Sequence, residues 1–390
     1  MRDNLSRSTV TLLTIGCFFA FFLFGLTDNL KGPTLPMMLA ELNINYGTGG
    51  NIFFGQYVGF FIATLLTGIL ADRFGLKPVI LLAGVCLALG VGGYSTFKTA
   101  ALLSLSLFII GLGLGAFELG PNAVIISLYK KQKGLYLNLM AVMHGLGSTI
   151  APLFAGWLLS LNETWRVIYR WDLLMIGAFI LFALFLRFPK PEEKTAFDFR
   201  NISRVAFKDA MPLYYLAIAF YVAAEIGISS WLVIYLQKIH AVSVSASAQA
   251  LALFFAMLML GRFIGGFIVH RFGYLRSILT ASLFSIFTIA IGTFTSLYFL
   301  LPFTGFFFSI IFPTLTAAVS DTHHENVNTL LGLLFTFAGL GGLFGPWLVA
   351  WGSEFFGLQI GFAVNLIIVF MMFTFALILF RMDEKKRTVN

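Results

Sequence analysis

Apolar stretches of about twenty residues or more recur along this chain, and each is long enough to cross a ~30 Å hydrocarbon core as a helix. The reading gives twelve, roughly at 9–39, 50–71, 78–97, 101–129, 135–161, 168–188, 211–238, 246–270, 275–295, 297–320, 326–352 and 358–380. Composition agrees. The chain has 390 residues, 59% hydrophobic and 11% charged, against roughly 25% charged in ordinary globular domains. A soluble fold could not hide that much apolar surface, whereas lipid accepts it directly. The 38 glycines fit the same class, because glycine lets membrane helices approach closely. The expected fold is an all-α membrane protein of twelve transmembrane helices.

The net charge of +8 raises the question of nucleic acid, but the distribution of Lys and Arg answers it as topology. With the N-terminus in the cytoplasm, all but five of the 25 basic residues fall at cytoplasmic ends; the five are Lys31, Lys98, Arg166, Arg170 and Lys238. Both termini are then cytoplasmic, and no nucleic-acid partner is expected. The first apolar stretch is too long for a signal-peptide core and reads as an uncleaved span. Cys17 and Cys86 lie in apolar segments with no Cys/His cluster, so no metal or cofactor is expected. The Asp321-Thr322-His323-His324-Glu325 run reads as a capped turn rather than a metal site. No GxxxxGK[ST] loop occurs, which argues against an ATP-driven pump.

The two halves repeat. The run from Gly68 to Gly75 aligns with Gly266 to Gly273, Gly145 to Pro152 aligns with Gly339 to Pro346, and Asp28 falls on Glu225 at an offset of 197. The one long polar segment divides the copies. The expected domains are a six-helix bundle over 1–188, a cytoplasmic linker over 189–210, and a second six-helix bundle over 211–390. Parallel repeats of this kind characterise one large transporter class, in which the solute site lies near the bilayer midplane.

The loop GILADRFGLKPVI places Gly68, Asp72, Arg73, Gly75 and Lys77 after the second span and resembles the signature gating loop of the major facilitator superfamily. In its second copy His270 replaces Asp72. A finer resemblance joins GLGAFELGPNAVI (Gly113 to Ile125), LNLMAVMHGLGS (Leu137 to Ser148) and YVAAEIGISSWLVIYL (Tyr221 to Leu236) to the fucose permease and related hexose transporters. That resemblance implies proton-coupled sugar uptake with Glu118 as a coupling carboxylate. The permease's first-helix Asp corresponds to Gly32 here, with Asp28 one turn earlier. Two of its fifth-helix amides are replaced by Ala141 and His144, which puts fucose itself in question.

Charge inside hydrocarbon costs roughly 2.5–3.5 kcal/mol or more per residue at a helix centre. Three carboxylates are read as deep in spans: Asp28, Glu118 and Glu225. At ~1.5 Å per residue they stand about 27, 18 and 21 Å from the cytoplasmic end. A carboxyl removed from water binds protons more readily, the property proton coupling needs. Glu118 and Asp28 are therefore the expected coupling pair. Asn29, Gln56, Asn122, His144, Glu225, Trp231 and Asn365 are the expected solute contacts. For each the alternative is a helix–helix hydrogen bond, and for Trp231 an interface anchor.

The leading function is a secondary active transporter that moves a small polar solute, a monosaccharide first, by proton-coupled alternating access. Sodium in the proton's place stays open. The chain is expected to act as a monomer in the cell membrane, the inner membrane if bacterial. A proton-driven exporter of drugs or amphipathic compounds is the rival, and an enzyme is not expected, since no nucleophile, base and metal set converges.

Overall fold

The computed structural model describes residues 6–129, 132–188, 207–322 and 327–389. Among them every regular element is helical, and twelve helical spans are long and apolar enough to cross a membrane. They fall where the sequence places them. The protein is a multi-pass membrane protein. Several expected basic ends (Arg2, Lys130, Lys131, Lys190, Lys194, Arg200 and Arg204), most of the expected linker, and His323 to Glu325 lie outside the described residues.

Internal contacts divide the chain into two compact units, Met1–Thr195 with Ser243–Ala252, and Ala196–Val242 with Leu253–Asn390. The first unit contains α1 (Arg7–Asn29), α2 (Lys31–Leu42), α3 (Tyr46–Phe74), α4 (Leu76–Thr96), α5 (Ala100–Leu128), α6 (Lys133–Ser160) and α7 (Trp165–Phe185). Helix starts are capped by side chains that satisfy otherwise orphaned backbone donors. Ser6 accepts from the Thr9 amide and Asn45 from the Thr48 amide. The first span is broken at Leu30, and Pro33 explains the position. Proline has no N–H to offer the Asn29 carbonyl, and its ring crowds that oxygen.

Glycines set how closely these helices pack. A Cβ on Gly59 would collide with the Phe108 carbonyl, and one on Gly111 with the Gln56 carbonyl, so α3 and α5 run side by side, backbone against backbone. In the same way Gly25 meets the His144 carbonyl and Gly147 the Phe22 carbonyl, locking α1 to α6. With no hydrophobic drive between helices in lipid, such close van der Waals packing carries much of the association.

The second unit continues with α8 (Met211–His240), α9 (Val244–Phe272), whose first residues belong to the first unit, α10 (Tyr274–Phe294), a 3-10 segment (Tyr298–Phe303), α11 (Thr304–Phe308), α12 (Ile311–Thr322), α13 (Val327–Phe356) and α14 (Leu358–Val389). The tenth span is interrupted before Ile311, where Pro313 cannot donate to the Ser309 carbonyl.

The repeat read from sequence is present in local geometry. Gly75 turns α3 into α4 at φ 87°, ψ 165°, and Gly273 turns α9 into α10 at φ 81°, ψ 162°. Only glycine takes this backbone without strain. The Gly147–Phe22 approach recurs as Gly341 against the Ala219 carbonyl. Phe22 and Ala219 are separated by the same 197 positions as Asp28 and Glu225, so these two carboxylates sit at matching heights of their own helices.

Candidate functional site

The break between α1 and α2 carries the most concentrated polar chemistry of the first unit. Asp28 lies in the last turn of α1 and Lys31 in the first turn of α2, on neighbouring positions of a helical surface. The Lys31 ammonium meets Asp28 Oδ1 at 2.5 Å and donates to the Tyr57 hydroxyl at 2.9 Å. It also lies 4.8 Å from the centre of the Tyr57 ring. Gln56 Nε2 donates to the same Asp28 oxygen at 2.5 Å. Lys31 is only 4% exposed. Lys31, expected among the outer-end charges, is thus enclosed by the protein rather than open to water. A charge this well enclosed is tolerated because Asp28 neutralises it and Tyr57 shares its hydrogen bonds.

The same turn reaches two further helices. Asn29 Nδ2 donates to the Gly25 carbonyl (2.8 Å) and to Ser148 Oγ on α6 (3.0 Å). The amide is buried in the α1–α6 seam, the helix-contact alternative to its expected solute role. On the other side, the Thr27 hydroxyl donates to Asp172 Oδ1 on α7 at 3.1 Å. Asp172 is 1% exposed. The sequence reading counted three deep carboxylates and missed this fourth. It stands seven residues inside α7, directly after Arg170 and Trp171.

Glu118 lies at a different height of the first unit. Gln56 is level with Gly111, and Glu118 lies seven residues further along α5, about 10 Å down the helix axis. It is half-buried. Asn122, one turn on, folds its amide back onto the Glu118 carbonyl at 2.6 Å. His144 is also half-buried and presents its ring edge-on to Phe24 at 4.7 Å. Gln56, in contrast, is buried at 2% exposure as a partner of Asp28.

In the second unit Glu225 is half-buried on α8, beside the hydroxyl of Tyr221 one turn earlier. Arg262 acts on the same hydroxyl from α9. The sequence reading set Arg262 at a cytoplasmic helix end. It stands instead ten residues inside α9 from Phe272, about 15 Å along the axis. It lines a cavity of about 490 Å³ together with His270, Tyr274 and Thr314.

Trp231 is corrected as well. It is fully buried, and its indole N–H donates to the Pro346 carbonyl on α13 at 3.0 Å, so it presents no open face for a sugar ring. Trp231→Phe should lower thermal stability by about 1 kcal/mol, the usual worth of one such bond. A changed solute KM with unchanged melting would instead restore the stacking role. Asn365 is fully buried too, donating to the Phe362 carbonyl at 2.9 Å, with its Oδ1 against Gly227 of α8. Both side chains are enclosed and spend their donors on backbone carbonyls.

The expected gating loop forms the α3–α4 turn. Asp72 and Arg73 are exposed, and Gly68 has open space around it. Lys77 reaches the end of α7, donating to the carbonyls of Leu184 (2.7 Å) and Leu186 (2.9 Å). A cation at a helix C-terminus satisfies orphaned carbonyls and complements the helix dipole.

Known proteins are similar to this chain in sequence and in fold. The glucose/galactose transporter of Brucella abortus is 26% identical over 263 residues, covering 63% of this chain and 64% of its own. Among solved structures, a variant of the nucleoside transporter NupG superposes with a TM-score of 0.80 at 15% identity, covering 96% of this chain and 99% of its own. The Escherichia coli fucose:proton symporter FucP gives 0.65 at 20% identity, covering 94% and 98%. The family model described as the Major Facilitator Superfamily matches residues 17–322 and 277–390, nearly the whole chain. With its two helical repeats and glycine-turned signature loop, the chain belongs to the major facilitator superfamily.

Proposed function

We propose that this transporter takes up a small polar solute, a monosaccharide first, together with protons, by alternating access. Its termini lie in the cytoplasm and it works as a monomer. Glu118 is the principal coupling carboxylate. The observation that carries this reading is the separation of roles inside the first unit. Asp28 is held by Lys31 and Gln56, while Glu118, about 10 Å further along the membrane span, is half-buried and is the one charged residue of α5. A carboxylate so placed changes its proton affinity when its exposure changes, which is what coupling to a conformational cycle requires. Asp28 takes part when its pairing with Lys31 is disturbed. Asn122, His144 and Glu225 are half-buried and suit contact with solute hydroxyls. Asn29, Gln56, Trp231 and Asn365 hold the helices that carry those contacts. The sugar-transporting relatives support the solute class.

Uptake of labelled hexoses into proteoliposomes tests the reading, with an imposed proton gradient, an imposed sodium gradient, or neither. The expected result is accumulation driven by the proton gradient. Glu118→Gln should abolish that accumulation, at least tenfold, while solute exchange without a gradient survives. Proton-driven accumulation that persists in Glu118→Gln would remove Glu118 from coupling. Sodium-driven accumulation would replace the proton. Absence of any hexose uptake, together with dye extrusion, would favour the export reading.

A further inference from the structure

Asp172 is a carboxylate that the transport reading does not use. It is 1% exposed, in the interior of the first unit. One oxygen accepts the Thr27 hydroxyl at 3.1 Å; Oδ2 has no hydrogen-bond partner among the described residues. An ionised carboxylate offers about four lone-pair sites and needs several donors or a cation when water is removed.

Among the described residues, the helices packed against α7 supply neither. On α1 the nearest charged group is Asp28, itself an acid. On α2, Lys31 is engaged by Asp28 and Tyr57, and Glu41 is another acid. On α4, Tyr94 donates its hydroxyl to Met38, and Lys77 binds carbonyls at the far end of α7. On α6, His144 packs against Phe24, and Lys133 is in the first turn. On α7 itself, Arg166 is bound to Glu41 and to the Phe97 carbonyl, Arg170 is exposed, and Tyr169 pairs with Thr34.

The internal repeat adds an independent observation. Asp172 is the eighth residue of the last helix of its repeat, and Asn365 is the eighth residue of the last helix of the other. Both are fully enclosed, and both leave one oxygen without a partner. The second repeat thus carries a neutral amide, enclosed as Asp172 is, in its own last helix.

We propose that Asp172 is a proton-binding site distinct from Glu118, occupied by a proton in this conformation and exchanging that proton with the medium. Thr27 is its positioning residue. Thr27 directly precedes Asp28 in the chain, so a movement of α1 that disturbs the Asp28–Lys31 pair also alters the donor to Asp172. No covalent chemistry is involved: the proton adds to a carboxylate oxygen and leaves it again.

Infrared spectroscopy of the purified protein in lipid tests this without any solute, so it can fail independently of the sugar–proton reading. At neutral pH the wild type should show a carbonyl stretch of a protonated carboxylic acid that Asp172→Asn lacks. The band should fade reversibly as the medium is taken from mildly acidic to alkaline. Thr27→Val keeps the acid but removes its hydrogen-bond donor, so the band should move to higher frequency. That variant decides the matter if Asp172→Asn does not fold. Identical wild-type and Asp172→Asn spectra, a band unmoved across the pH range, or a band unshifted in Thr27→Val would each overturn the proposal.

Discussion

Replacing Lys31 by methionine is expected to cost about 3–5 kcal/mol of stability and to leave little transport. Removing one partner of a buried ion pair strands the other charge without water, and a penalty of that size follows. Here the stranded group is Asp28, which would keep only the Gln56 amide. Methionine matches the length of the lysine stem, so the change tests charge rather than packing. Thermal unfolding of the purified protein gives the stability and proteoliposome uptake the activity. The double variant Asp28→Asn/Lys31→Met removes both charges and should recover most of the lost stability, because no unpaired charge remains. It should not recover proton-driven uptake, since Asp28 is gone. A Lys31→Met protein that melts with the wild type would show that the pair is open to solvent and carries no such role.

The second large effect concerns the α3–α5 seam. Gly111→Val places a branched side chain where the Gln56 carbonyl already sits. Overpacking of a tight interior typically costs 1–3 kcal/mol, occasionally more, and a collision with backbone rather than a flexible side chain puts this case at about 3 kcal/mol or above. The displacement also moves Gln56, and with it the hydrogen bond to Asp28. Lower folded yield, a lower melting temperature and loss of uptake are therefore expected together. Gly68→Val is the matched control for stability, because nothing lies within 4 Å of a Cβ there. Equal melting of the two variants would contradict the close approach of α3 and α5.

The two predictions separate what is local from what is not. Close helix packing in general was legible in the sequence's many glycines, but the pairing of α3 with α5 was not. Nor was it legible which glycines touch the partner, because Gly68 and Gly111 look alike until the helices are packed. The Asp28–Lys31 pair was half legible. Its three-residue spacing is visible on the chain, yet a lysine next to Gly32 and Pro33 reads equally well as the start of a loop. Pro33 does break the helix, but the span resumes at once and carries Lys31 into the helix packing. Arg262, expected at a cytoplasmic end, stands ten residues inside α9 because that helix runs on to Phe272.

The sequence by itself determined the class, the twelve spans, the two-fold repeat and the membership of the superfamily. Each is written in properties that one segment carries alone: apolar length, proline and glycine positions, and the recurrence of a motif. Tertiary structure decided which polar groups are buried, and with what. Trp231 is bound to the Pro346 carbonyl, Asp172 is enclosed behind Thr27, and Lys31 is held by Asp28 and Tyr57. The physical reason is the solvent. In water, the apolar side of a helix marks its buried face; in lipid, the outer face and the packed face are both apolar, so periodicity no longer tells them apart. A polar side chain within a span then shows that a partner must exist, and only the packed helices show which residue it is.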